Sequence, residues 1–170
     1  MKIELLKVNG NDLDIVDVAR VSYGKEASNY KEEQNIKLIK YLIKHGHTSP
    51  FRHVSLQFRI KCPIYVERQL FKHQIGWSAN SISGRYVDFS DSYYYIEQFR
   101  KQSENSKQGS GDDFSLTENR KALNIQANII SDCKKAYENL LELGCSKEQA
   151  RSVLPLSLET EFIWTGSLLA

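Results

Sequence analysis

Between His53 and Lys61 the chain alternates without a break, Val54, Leu56, Phe58 and Ile60 against His53, Ser55, Gln57, Arg59 and Lys61. A period of two puts every apolar side chain on one face, so this segment reads as a strand with one face on a core and the other polar. A second alternating run, Leu156, Leu158, Thr160, Phe162 and Trp164, reads as another strand, and Met1-Lys2-Ile3-Glu4 as a first one. Helical periods lie between them. Leu13, Ile15, Val16, Val18 and Ala19 predict a short helix from Asn11 to Val21 with Asn11 or Asp12 as N-cap. From about Lys31, Ile36, Ile39, Leu42 and Ile43 share one face up to Gly46, a good left-handed stop. Pro63 can open a helix that carries Ile64, Val66, Leu70 and Phe71 and ends at Lys72-His73-Gln74.

Ser115 and Glu118 form a capping box for a long helix with Leu123, Ala127, Ile130, Cys133, Tyr137, Leu140 and Leu141 on its core stripe and Gly144 at its end. Ser146 and Gln149 form a second box, opening a short helix that Pro155 helps to stop. Strands interspersed with helices predict an α+β fold, a mixed or antiparallel sheet flanked by helices. A length of 170 residues fits one domain over 1–170. Lys101 to Asp113, poor in apolar residues and rich in Gly and Ser, reads as an exposed polar loop. Ser167 reads as the N-cap of a further helix of which only Leu168, Leu169 and Ala170 follow, so the chain is expected to be cut short relative to a longer parent.

A net charge of +2 gives no broad basic field, which argues against non-specific nucleic-acid binding. No apolar run approaches a membrane span, and the N-terminus does not read as a signal peptide, so the cytoplasm is the expected place. Cys62, Cys133 and Cys145 read as reduced thiols. No metal site is expected, since His45, His47, His53 and Asp12 lack ligand spacing and His45 suits a helix C-terminus. Tyr93-Tyr94-Tyr95 reads as strand packing rather than a stacking platform for bases.

The chemistry concentrates in R-Q-L-F-K-H-Q-I-G-W-S-A-N-S-I-S-G-R-Y, from Arg68 to Tyr86. Arg68, Lys72 and Arg85 have no acidic neighbour inside this run, so their partner is elsewhere in the fold or is a ligand, and phosphate suits them. Ser83-Gly84-Arg85 combines a hydroxyl, a backbone that permits close approach and a two-pronged cation. One charge-assisted hydrogen bond nets ~1.5–3 kcal/mol, whereas micromolar binding needs roughly 8 kcal/mol, so several such contacts must converge. Ile75, Trp77 and Ile82, interleaved with the polar groups, suggest that the segment packs on one side.

These residues resemble the flavin-dependent thymidylate synthases, the ThyX family, whose usual signature is R-H-R followed at fixed spacing by Ser, with Asn and an acidic residue before that Ser and Arg two after it. The matching stretch is Lys72-His73-Gln74, then Asn80, Ser81, Ser83, Gly84, Arg85 and Tyr86. Colinear flanks agree: Ala19-Arg20-Val21-Ser22, His45 to Phe51, Pro63 to Gln69, and Ala150 to Pro155. The resemblance implies a ThyX-like fold and a homotetramer with FAD between subunits. It implies conversion of dUMP to dTMP, with methylenetetrahydrofolate as carbon donor and NADPH to reduce the flavin. By position, Gln69, Lys72, Ser81, Ser83, Gly84, Arg85 and Arg151 would hold dUMP. Ser22, His47, Ser49, Lys72, His73, Gln74, Asn80 and Ser81 would line FAD. Activation of the pyrimidine falls to an Arg rather than to a cysteine, which fits Cys62 standing at a strand end before Pro63.

Three departures stand out. Lys72 and Gln74 replace the two arginines of the triplet, a variant associated with viral members, whose place of action would be the host cytoplasm; Lys keeps charge without the planar fork and Gln keeps hydrogen bonding alone. The spacing from Gln74 to Ser83 is one residue longer than usual, and Ser81 stands where the family has its acidic group. The segment that supplies the activating Arg in the family is expected beyond Ala170. From a different class comes the alternative of a split or impaired remnant that keeps the fold and serves only as a binding or structural subunit.

Overall fold

The computed structural model describes residues 1–88 and 92–170. Its strands are β1 (Lys2–Asn9), β2 (Ser55–Pro63), β3 (Trp77–Ser81), β4 (Arg100–Gln102), β5 (Ser110–Asp113) and β6 (Glu159–Ser167); its α-helices are α1 (Asp12–Arg20), α2 (Glu32–Lys44), α3 (Ile64–Leu70), α4 (Leu116–Glu142) and α5 (Lys147–Ala150). They divide into two compact units. One comprises Met1–Lys61, Glu67–Ser81 and Glu161–Ala170, the other Cys62–Val66 and Ile82–Thr160.

In the first unit, Asn11 starts α1 by accepting the Leu13 N–H at 2.8 Å, while Asp14 accepts the Asn11 N–H at 2.6 Å. Helix α2 ends at His45, and Gly46 takes the left-handed turn (φ +68°) that returns the His47 N–H to the Leu42 carbonyl at 2.9 Å. Ile15, Leu42, Phe51 and Val54 close into a core against Ala19, Leu38 and Ile39. Each such side chain contributes about 1.5–3 kcal/mol on burial. Arg20 closes α1 with its guanidinium 3.4 Å above the Tyr30 ring and one amino group on Asn35 Oδ1 at 3.2 Å.

The sheet of this unit has the order β1-β2-β6-β3, with β1 antiparallel to β2 and β3 antiparallel to β6. The predicted alternation holds in both central strands: Ile60 and Cys62 are buried in β2, and Phe162 and Gly166 in β6. Two expectations need correction. Strand β6 starts later and runs further than the period indicates, so Thr165-Gly166-Ser167 continue the strand and Ser167 caps no helix. The cause is the destination of the backbone donors, since the N–H of Ser167 goes to the Gly76 carbonyl (3.2 Å) and that of Leu168 to the Val54 carbonyl (2.8 Å). The second concerns the run from Arg68 to Tyr86, which contains an edge strand, β3, that polar composition conceals. Of Ile75, Trp77 and Ile82, Trp77 alone packs, because Ile75 is 91% exposed and Ile82 is exposed too.

In the second unit, Ser115 and Glu118 cap α4 reciprocally, and Ile130 and Tyr137 bury its inner stripe, although Ala127 is exposed. Buried Asn119 accepts the Phe99 N–H at 2.9 Å and donates to the Glu97 carbonyl at 3.0 Å, pinning the chain that leads into the β4–β5 pair. That pair occupies the segment expected to be a loop: Arg100 pairs with Asp113 and Gln102 with Ser110, with most side chains exposed. Ser146 precedes α5 without a side-chain cap, so the second capping box does not form. Burial holds the Tyr65 phenol above its ordinary range, helped by the neighbouring Tyr94 and Cys62. No described helix is long and apolar enough to cross a membrane.

Candidate functional site

Within the first unit the residues Glu67–Ser81 run from the second half of α3 through a turn into β3. An aromatic row fixes their path. Phe71 meets Phe162 edge to face at 5.2 Å, Phe162 meets Trp164 at 6.4 Å, and Trp164 lies 4.2 Å from Trp77. The register of β3 on β6 sets Ser81 opposite Phe162 and Trp77 opposite Gly166, so these side chains share one face of the pair. Phe71 also follows Glu67 by one helical turn, its N–H on the Glu67 carbonyl at 2.9 Å. The packing of Phe71 on Phe162 therefore brings the Glu67 and Ser81 side chains together, and Ser81 Oγ donates to Glu67 Oε1 at 2.9 Å.

Around this contact stand the polar groups of the motif. Gln69, Lys72, His73, Gln74, Asn80 and Ser81 are all exposed. The Lys72 N–H closes a turn on the Gln69 carbonyl at 3.2 Å. Among the described residues neither Lys72 nor Arg68 meets a carboxylate, so both ammonium and guanidinium are available to an anion. Ser22 lies in the 3-10 turn Val21–Tyr23 with its hydroxyl on the Ala19 carbonyl at 3.4 Å. Ser49 opens the 3-10 turn Ser49–Arg52, and His47 sits beside Tyr41 with ring centres 6.0 Å apart. All three are exposed.

In the second unit Ser83, Gly84 and Arg85 form a tight turn in which the Tyr86 and Val87 N–H groups share the Ser83 carbonyl at 3.0 and 3.1 Å. Ser83 Oγ accepts from the Arg85 backbone N–H at 3.4 Å and from its Nε at 3.3 Å. Gly84 is buried at the turn, and the Arg85 guanidinium carbon lies 5.2 Å from the Tyr86 ring centre. Among the described residues only Nε of the guanidinium makes a hydrogen bond, and both amino groups lack a carboxylate partner. Arg151 resembles it, with Nε on the Glu148 carbonyl at 3.2 Å and no partner for its amino groups among the described residues.

Hydrogen bonds among the described residues join predicted site residues to one another at Gln69–Lys72 and Ser83–Arg85. None of the predicted residues lines the cavity of about 620 Å3 walled by Leu13, Val16, Tyr30 and Ile36, or the one of about 680 Å3 walled by Tyr65, Tyr94 and Phe99. Glu67 is the polar residue the motif reading passes over. It lies one position before the run of cations, and its signal was a helical carboxylate one turn ahead of an aromatic that must pack on a strand.

The fold is α+β with a four-stranded antiparallel sheet, and Arg68 and Lys72 in the first unit and Arg85 in the second are exposed cations that meet no carboxylate among the described residues. The family described as thymidylate synthase complementing protein matches residues 4–170, and the chain belongs to that family of flavin-dependent thymidylate synthases. It is 45% identical over 165 residues to a flavin-dependent thymidylate synthase of Kosmotoga olearia, covering 96% of this chain and 70% of the relative. A Thermus thermophilus protein of the same name is 42% identical over 166 residues, which cover 98% of this chain and 59% of that protein. The fold is similar to that of the UMP/dUMP methylase PolB of Streptomyces cacaoi bound with 5-Br dUMP (TM-score 0.85, 29% identity), with 98% of this chain and 73% of that one superposed.

Proposed function

We propose that the chain is a thymidylate synthase subunit that binds dUMP through Gln69, Lys72, Ser81, Ser83, Gly84, Arg85 and Arg151, and FAD through Ser22, His47, Ser49, Lys72, His73, Gln74, Asn80 and Ser81. The single observation that supports this reading is the Ser83–Arg85 turn, where Nε is spent internally and neither amino group has a partner among the described residues, which leaves both for a phosphate. A guanidinium fixed in this way loses little freedom on binding, so more of each bond appears as affinity. Arg151 offers a second fork and Lys72 a point charge, enough contacts to reach micromolar affinity with base stacking added.

The donor set also fits a flavin. His73, Gln74 and Asn80 present exposed hydrogen-bonding groups, and Lys72 brings a positive charge that no carboxylate among the described residues neutralises. Held by these residues, a flavin reduced by NADPH would supply the hydride, and methylenetetrahydrofolate would supply the carbon. The side chains bind, orient and compensate negative charge. Because these residues are exposed rather than sunk in a cavity, further walls are required, and a second copy of the chain in a homotetramer provides them in this reading. The cytoplasm is the matching compartment for its substrates.

The test is an anaerobic incubation with dUMP, methylenetetrahydrofolate, NADPH and FAD, followed by chromatography for dTMP. Formation of dTMP that requires all four supports the assignment. Tight binding of dUMP and FAD with no dTMP formed would point instead to a binding or structural subunit.

A further inference from the structure

Ser81 has one proton to give, and it gives it to Glu67 at 2.9 Å. What remains on Ser81 Oγ is acceptor capacity, and the carboxylate of Glu67 is acceptor-only, with Oε2 unused among the described residues. No Lys, Arg or His among the described residues pairs with Glu67. The pair thus presents two oxygens, one of them charged, and no donor. Such a surface repels a phosphate and attracts an N–H or O–H.

We infer that Glu67 is a positioning and specificity residue for the nucleotide: with Ser81 it forms an acceptor pair that takes a neutral donor of dUMP, a sugar hydroxyl or the ring imide N–H, and turns phosphate away. The inference rests on the nucleotide reading above and narrows the role of Ser81 within it. It also accounts for the departure at Ser81, where the family signature has an acidic residue. The negative charge is present, but it comes from α3, and the contact of Phe71 with Phe162 sets it on the strand. A carboxylate reached through a serine hydroxyl holds its geometry only while that aromatic contact does.

The experiment is calorimetric titration of the full chain with dUMP, 2′,3′-dideoxyuridine monophosphate and N3-methyl-dUMP, for the natural protein, Glu67→Ala, Glu67→Gln and the double variant Glu67→Ala/Ser81→Glu. Glu67→Ala is expected to weaken dUMP by roughly 10- to 100-fold, the range of a hydrogen bond to a charged group. The analogue that lacks the recognised donor should bind the natural protein and Glu67→Ala equally, which identifies the donor as hydroxyl or imide. Glu67→Gln keeps an acceptor oxygen and should fall between, and the double variant should regain dUMP affinity by carrying the carboxylate on the strand itself. An unchanged dUMP affinity in Glu67→Ala overturns the inference while leaving the nucleotide site intact, as does an equal loss for all three ligands. Failure of the natural protein to bind any of the three overturns the nucleotide reading and this inference with it.

Discussion

Gly166 lies directly beneath the indole of Trp77: a Cβ on Gly166 would stand 2.3 Å from the ring. The two residues are register partners across β3 and β6, so the missing side chain on one strand is what lets the aromatic of the other lie flat and stack on Trp164. Replacing Gly166 with Ala is expected to force the ring out, with a loss of about 1–3 kcal/mol typical of overpacking. Chemical denaturation should show the lower midpoint, and Trp emission should shift red as Trp77 leaves its partner.

Asn119 is the matching anchor of the second unit. Its side chain serves one backbone N–H and one carbonyl of the Glu97–Phe99 segment. Asn119→Ala leaves both without a partner and is expected to cost about 2–3 kcal/mol. Asn119→Asp keeps the acceptor and loses the donor, so thermal unfolding should place it between the two.

The pH dependence has two edges of opposite sign. Hydrogen bonds from the Ser115 hydroxyl and backbone hold the Glu118 carboxyl below its ordinary range. A lowered folded pKa means stability that is present above the unfolded value and lost as pH falls through the folded one. Lys147 is the reverse: its bond to Asp88 at 2.8 Å raises the ammonium above its ordinary range. Its contribution is complete below the unfolded value and disappears as pH climbs through the folded one. Both groups are exposed, so the effects are small. Urea midpoints measured across acid and alkaline pH should lose the acid edge in Ser115→Ala and the alkaline edge in Asp88→Asn.

Much of the fold is legible because it is periodic. The alternation in β2 and the caps at Asn11 and Ser115 are local signals, and the structure places strand and helices there. What escaped depends on contacts distant in sequence. Strand β3 has an exposed, polar outer row and is recognisable only once β6 is beside it. Ser167 looks like a helix cap until its N–H is seen on Gly76. The hairpin at Arg100–Asp113 buries little and leaves no hydrophobic pattern. The motif residues were legible as chemistry, but the Glu67–Ser81 bond was not, since it needs the Phe71–Phe162 packing to exist.

Arg85 should not tolerate its nominal equivalent. Lys cannot bond Ser83 through Nε and present two further donors at once, so Arg85→Lys is expected to lose most of the phosphate affinity that Arg85→Ala loses. Equilibrium dialysis with dUMP compares the two.

The most direct measurement is the affinity of the natural chain and of Arg85→Ala for dUMP and for deoxyuridine, the same molecule without its phosphate. If the Ser83–Arg85 turn holds the phosphate, dUMP binds the natural chain far more tightly than deoxyuridine does, and Arg85→Ala reduces that preference roughly 10- to 100-fold while leaving deoxyuridine unchanged. A preference for dUMP that survives the loss of Arg85 would contradict it.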